Sequence, residues 1–262
     1  MLGEPVKMVS GAVVYPVVFA RLEPSVGFRW ATRAIAFMML ATSIVTVAGV
    51  RQRTQPTLNR SALFDTASFR DAPFIYFSLG VFFGFMGIYV LFFYVELYGM
   101  QVCHMNSNLA AYLLAIVNAG SLFGRLIPNY MADKVGPLNI HVPFAFVAAL
   151  LAFSWIAVRD AAGLVVFGVL YGFFSGTFVS LPGPIVVGIS MDFPKLIGTR
   201  LGMSMGCAGI GLLVGSPVAG VILDKHGWVG LQAWAGSLIT ISALCMLSAR
   251  GAKFGWVLRT TA

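Results

Sequence analysis

The chain has 262 residues, of which 59% are hydrophobic and 10% charged, with a formal net charge of +8. A soluble domain carries about 25% charged residues, so this surface must face hydrocarbon rather than water. The basic residues are scattered among apolar runs, which excludes the clustered patch that nucleic-acid binding requires.

A membrane helix needs roughly 20 mostly apolar residues. Eight stretches qualify: about 8–22, 28–50, 74–98, 109–131, 140–158, 162–187, 199–223 and 229–249. Apolar and polar residues do not alternate along 144–156 or 210–223, so helices fit better than the strands of a barrel. The first stretch is short and holds Pro16. Lys7 ahead of an apolar run also fits a signal peptide, but Glu4, Pro5 and the spans that follow fit it poorly.

The long loop at 51–73 carries Arg51, Arg53, Arg60 and Arg70. Short basic loops stay in the cytoplasm, and alternation places 131–139, 188–198 and the C-terminal segment on the same side. Arg125, Lys134, Lys195, Arg200, Arg250, Lys253 and Arg259 then join the inner set. The outer set is Arg21, Arg29, Arg33, Arg159 and Lys225. This bias supports the orientation independently of the loop that set its sign. The cysteines, Cys103, Cys207 and Cys245, lie far apart and form no C-x-x-C pair, so they read as packing residues.

Arg125 is the sharpest feature. It lies eight residues before Asp133, or about 12 Å deeper in the bilayer. An ionisable residue at that depth marks a functional site by default, and its guanidinium suits a carboxylate. Snorkelling towards the inner headgroups is the competing reading. The stretch from Asn129 through Asp133 and Lys134 to Gly136 reads as a tight cytoplasmic turn whose charges pair helix ends and lock one conformation; a solvated turn is the plainer reading. Helix 162–187 carries Gly168, Gly172 and Gly176, then Pro182 and Pro184. The glycines allow close helix approach, and the prolines predict a break near the inner end. Helix 199–223 repeats the theme with Gly211, Gly215 and Pro217. The aromatic run from Phe82 to Tyr94 fits either a cavity wall or ordinary packing. His104, His141 and His226 fall at predicted helix edges or loops without a second metal-type ligand nearby, so no metal or other cofactor is expected. Nucleophile elbow, P-loop and H-E-x-x-H motifs are absent, so neither an enzyme nor an ATP-driven pump is indicated.

Four segments together resemble the major facilitator superfamily, in its fungal monocarboxylate-transporter-like branch. They run from Gly80 to Tyr89, from Gly124 through Pro128 to Gly136, from Tyr171 through Gly176 to Pro182, and from Gly198 through Arg200 to Met203 with Gly215 and Pro217. The resemblance implies an all-α integral membrane bundle in which the eight spans are helices five to twelve of twelve. On that plan 1–50 ends the N-terminal half, 51–73 is the cytoplasmic linker, and 74–262 is the C-terminal six-helix half. Helices one to four have no counterpart, so a shortened gene model or degraded copy is expected. Proton-coupled relatives carry Asp four residues before the helix-eight Arg, where this chain has Ser121. The Asp133–Gly136 loop usually opens with Gly, and here it opens with Asn129, which implies a stiffer turn.

The implied function is secondary transport of a small organic solute, a monocarboxylate or a secondary metabolite, by alternating access across the plasma membrane. Arg125, Asn118, Ser121, Tyr89 and Tyr171 are the implied solute-binding residues. Asp133, Lys134, Gly136 and Arg200 are the implied gating residues. The lipid bilayer is the partner throughout. The rival reading is a truncated, non-transporting protein that associates with a full-length transporter through small-residue helix faces.

Overall fold

The structure, a computed structural model, describes residues 3–49 and 65–255. Most of the predicted linker, up to residue 64, lies outside the described residues, as do Arg51, Arg53, Arg60 and Arg259. The described chain is helical, without a strand. It divides into two compact units, Met1–Arg60 and Ser61–Ala262.

The first unit holds α1, Gly3–Gly49, broken at Gly27, where φ is 76° and ψ 161°. Phe19 and Phe28 pack edge to face across the break at 5.9 Å. Beyond it, Phe28, Trp30, Phe37, Leu40 and Val45 are exposed, as lipid-facing residues are.

The second unit holds α2 (Ala72–Gln101), α3 (Ser107–Val135), α4 (Pro137–Ser154), α5 (Ala161–Ser180), α6 (Pro182–Ile189) and α7 (Ile197–Phe254). Six helices of the described chain are long and apolar enough to cross a membrane: Arg21–Gly49, Ala72–Gln101, Ser107–Val135, Pro137–Ala157, Ala161–Ser180 and Pro194–Phe254. The last is two spans in one. Gly227, at φ 67° and ψ −168°, breaks α7, and each arm is roughly 40 Å long, more than the hydrocarbon core. The predicted spans 199–223 and 229–249 are these arms. The predicted span 8–22 is helical but is not among the six.

Lipid supplies little hydrophobic drive between helices, so close packing does the work. The crossing of α3 with α5 shows how. A Cβ on Gly124 would strike the backbone carbonyl of Phe173, and one on Gly172 that of Val117. Only glycine lets these backbones touch. The α5 helix stops at Leu181 because Pro182 begins α6, and a proline lacks the N–H that would continue the ladder. Two apolar clusters fill the unit. One gathers Tyr98, Trp155, Leu164, Phe167 and Tyr171. The other, nearer the end assigned to the cytoplasm, gathers Phe74, Phe77, Leu181, Ile185 and Met246.

The junction of α3 and α4 differs from the predicted loop. Helix α3 continues to Val135, and Gly136 alone turns the chain, at φ 103°. Asn129, Asp133 and Lys134 therefore sit in helix, so Asn129 does not stiffen a turn. The physical reason is that Pro137 starts α4 and a left-handed Gly suffices for the reversal.

Candidate functional site

Arg125 sits on α3 ten positions before its last residue, roughly 15 Å from that helix end. The side chain is half-buried, and its Nε is buried with no hydrogen-bond partner. The Tyr89 phenol on α2 is close enough to interact with it electrostatically. Tyr89 belongs to an aromatic wall: its ring lies 5.7 Å from Phe85 and 5.4 Å from Phe92. Phe92 in turn lies 6.4 Å from Tyr171. Tyr171 is 1% exposed, and its hydroxyl donates to the Ile88 carbonyl at 3.0 Å. That bond ties α5 to α2 and occupies the hydroxyl.

The structure thus brings Arg125, Tyr89 and Tyr171 into one neighbourhood. Ser121, 2% exposed, lies in the glycine seam, where a Cβ on Gly176 would meet its carbonyl at 2.9 Å. Asn118 is half-buried two turns from Arg125.

The four gating candidates separate into two places. Asp133 and Lys134 are exposed in the last turn of α3, with the Lys134 ammonium 4.5 Å from the Tyr130 ring centroid. Gly136 is the turn itself. Arg200, at the start of α7, is 2% exposed. Its Nε donates to Ser68 Oγ at 2.9 Å. One terminal nitrogen donates to Asp71 Oδ2 at 2.7 Å and to Ser190 Oγ at 3.4 Å. The rings of Phe74 and Phe193 flank the guanidinium at 5.2 and 5.1 Å. Ser68 also donates to Asp65. Arg200 therefore clasps the 3-10 turn Thr66–Arg70, the residue capping the start of α2 and the residue capping the end of α6 in one network.

Sequence reasoning missed these partners. Ser68, Asp71 and Ser190 carry no local signal that points to Arg200. It also missed two further ties of the end of α7: Arg250 donates to Asn139 and Lys253 pairs with Asp192. His141, placed at a helix edge by the sequence, is fully buried within α4. It packs edge to face on Phe178 at 4.7 Å. A cavity of about 260 Å³ at the opposite end of the unit is lined by Tyr98, Arg159, His226, Trp228 and Gln232 among others. No cluster of metal-binding side chains occurs among the described residues.

The family model described as Major Facilitator Superfamily matches residues 8–186. The chain belongs to the Major Facilitator Superfamily. It is similar to the "MFS-type transporter dbaD" of Emericella nidulans, at 39% identity over 241 residues, covering 90% of this chain and 54% of that protein. It is similar to the "Aspyridones efflux protein apdF" of the same fungus, at 34% identity, covering 93% of this chain and 50% of that one. It is also similar to the "Agnestins efflux protein AgnL12" of Paecilomyces divaricatus, at 32% identity, covering 92% and 55%. The chain spans about half the length of these curated relatives. Among solved structures it resembles the superfamily transporter FucP in its outward conformation. The TM-score is 0.60 at 16% identity, over 86% of this chain and 54% of that one; at that identity the likeness concerns the fold. The superfamily membership and the apolar helices make this a multi-pass membrane protein.

Proposed function

We propose that this chain supplies the C-terminal half of a secondary transporter that moves small organic anions across the plasma membrane by alternating access. The observation that carries the reading is Arg125: a cation inside a membrane span whose Nε is buried and has no acceptor within the protein. An ionisable residue inside a membrane span marks a functional site by default. An anionic solute supplies the missing acceptor, and the Tyr89 ring system supplies an apolar wall beside it. The efflux proteins among its relatives favour export of a secondary metabolite in the manner of the monocarboxylate-transporter-like branch.

The test is transport of a labelled aromatic monocarboxylate in proteoliposomes, comparing the wild-type chain with Arg125→Ala and Arg125→Lys. A charge-assisted hydrogen bond contributes roughly 1.5–3 kcal/mol, so Arg125→Ala should slow transport about 10- to 150-fold. Arg125→Lys should retain an intermediate rate, because it keeps the charge and loses the fork. Equal rates for wild type and Arg125→Ala would remove Arg125 from the mechanism.

A further inference from the structure

Buried polar side-chain atoms without a hydrogen-bond partner are few among the described residues: Ser78 Oγ, Arg125 Nε, Asn129 Oδ1, both ring nitrogens of His141 and Trp155 Nε1. Two of them belong together. Arg125 and Asn129 are four positions apart on α3, so they rise from one face of the helix, one turn apart. Their chemistry is complementary. Arginine only donates, while the buried atom of Asn129 only accepts. Leaving a buried polar atom unmet is costly, and here the protein leaves a donor and an acceptor unmet side by side.

The face they occupy is not the one that glues α3 to α5. Gly120, Ser121 and Gly124 form that seam and are buried. At 100° per residue, Arg125 and Asn129 lie on one flank of the seam. Phe123 and Ile127 lie on the other flank, 56% and 48% exposed, as side chains against lipid would be. The exposed apolar flank is the one suited to lipid, and the Arg125–Asn129 flank is the half-buried one.

We propose that Asn129 is a specificity-determining residue that accepts a hydrogen bond from the solute, one helical turn inward from the group held by Arg125. The solute class is then an organic anion that also carries a hydroxyl or N–H donor. This inference rests on the Arg125 reading above. Asn129 decides among anions, and Arg125 admits them.

Binding to the purified full chain in lipid nanodiscs separates the two claims. The probes are benzoate, which offers a carboxylate alone, and 4-hydroxybenzoate, which adds one O–H donor across the ring. The wild-type chain should prefer 4-hydroxybenzoate by about tenfold, the value of one net hydrogen bond. Asn129→Leu, similar in volume and without a polar atom, should lose the preference and bind the two probes alike. Asn129→Ala is the second variant, read wherever the leucine disturbs the gel-filtration profile. A preference that survives loss of the amide, or that is absent from wild type while benzoate still binds, overturns the role of Asn129 and leaves Arg125 in place. Failure of either probe to bind wild type, or undiminished benzoate binding by Arg125→Ala, overturns the Arg125 reading and this inference with it.

Discussion

Replacing Asp71 with alanine tests whether the Arg200 network holds the inner end of the unit. The guanidinium is 2% exposed and its carboxylate partner 24% exposed, at 2.7 Å. Removing one member of a buried pair costs about 3–5 kcal/mol, because the remaining charge is stranded. Two features reduce that figure here. Asp71 is partly wet, and Ser68 and Ser190 still accept from Arg200 at 2.9 and 3.4 Å. We therefore expect Asp71→Ala to cost about 2–3 kcal/mol. For a unit of this size each kilocalorie lowers Tm by about 2–4 °C, so the loss should be roughly 5–10 °C in detergent. The double variant Asp71→Ala, Arg200→Met removes the stranded charge as well. It should melt above Asp71→Ala alone, because contacting residues couple rather than add. A thermal shift of under about 1 °C for Asp71→Ala, or strict additivity in the cycle, would show that the pair is not coupled as described.

Two further expectations follow from the packing and from the chemistry of the loops. Gly124→Ala places a methyl against the Phe173 carbonyl, whereas nothing lies within 4 Å of a Cβ on Gly202. The first should cost at least about 2 kcal/mol and the second should stabilise slightly, about 0.5–1 kcal/mol from helix propensity; Tm in detergent separates them, and equal effects would contradict the described α3–α5 crossing. Burial pushes the Cys103 thiol above its ordinary range, the Asp160 carboxylate raises it further, and Arg159 opposes them. In a background lacking Cys207 and Cys245, maleimide labelling of Cys103 should accelerate as pH rises, since the thiolate is the nucleophile. Asp160→Asn keeps a side-chain acceptor for Gly163 N–H and should shift that rate profile to lower pH; an unchanged profile would remove Asp160 as a cause.

How much of this was legible in the sequence depends on the range of each signal. Helix existence was legible, because an apolar run of membrane length has one stable answer in lipid. The break before Pro182 was legible for an equally local reason. The α3 terminus was not. Asp133, Lys134 and Gly136 look like a polar turn in one dimension, yet the helix keeps the charged pair and spends only Gly136 on the reversal. Arg125 was legible as a charge inside a span. Its companion Asn129 was not, because a polar residue near a predicted helix end is ordinary until its oxygen is found buried. The clasp on Arg200 was beyond sequence reasoning altogether, since Asp71 and Arg200 are 129 positions apart. Nothing in either local pattern selects the other.

The contrast between Arg200 and Arg125 is more than one of depth. Arg200, Arg250 and Lys253 all counted towards the inner charge bias, and each meets an acceptor from another segment: Asp71 and Ser68, Asn139, and Asp192. These residues fasten α7 to the 3-10 turn, to α4 and to the stretch after α6. They do so near helix ends, where desolvating an ion costs less than at the bilayer centre. The fastenings are unequal. Lys253 and Asp192 are 21% and 67% exposed, a wet pair of the kind that contributes about 0–1 kcal/mol, while the Arg200 network is nearly dry. Arg125 is only half-buried, but its Nε is buried and has no such fastening. The protein supplies acceptors readily at these helix ends and none to the buried Nε of Arg125, and that contrast is the ground on which the proposed solute contact rests.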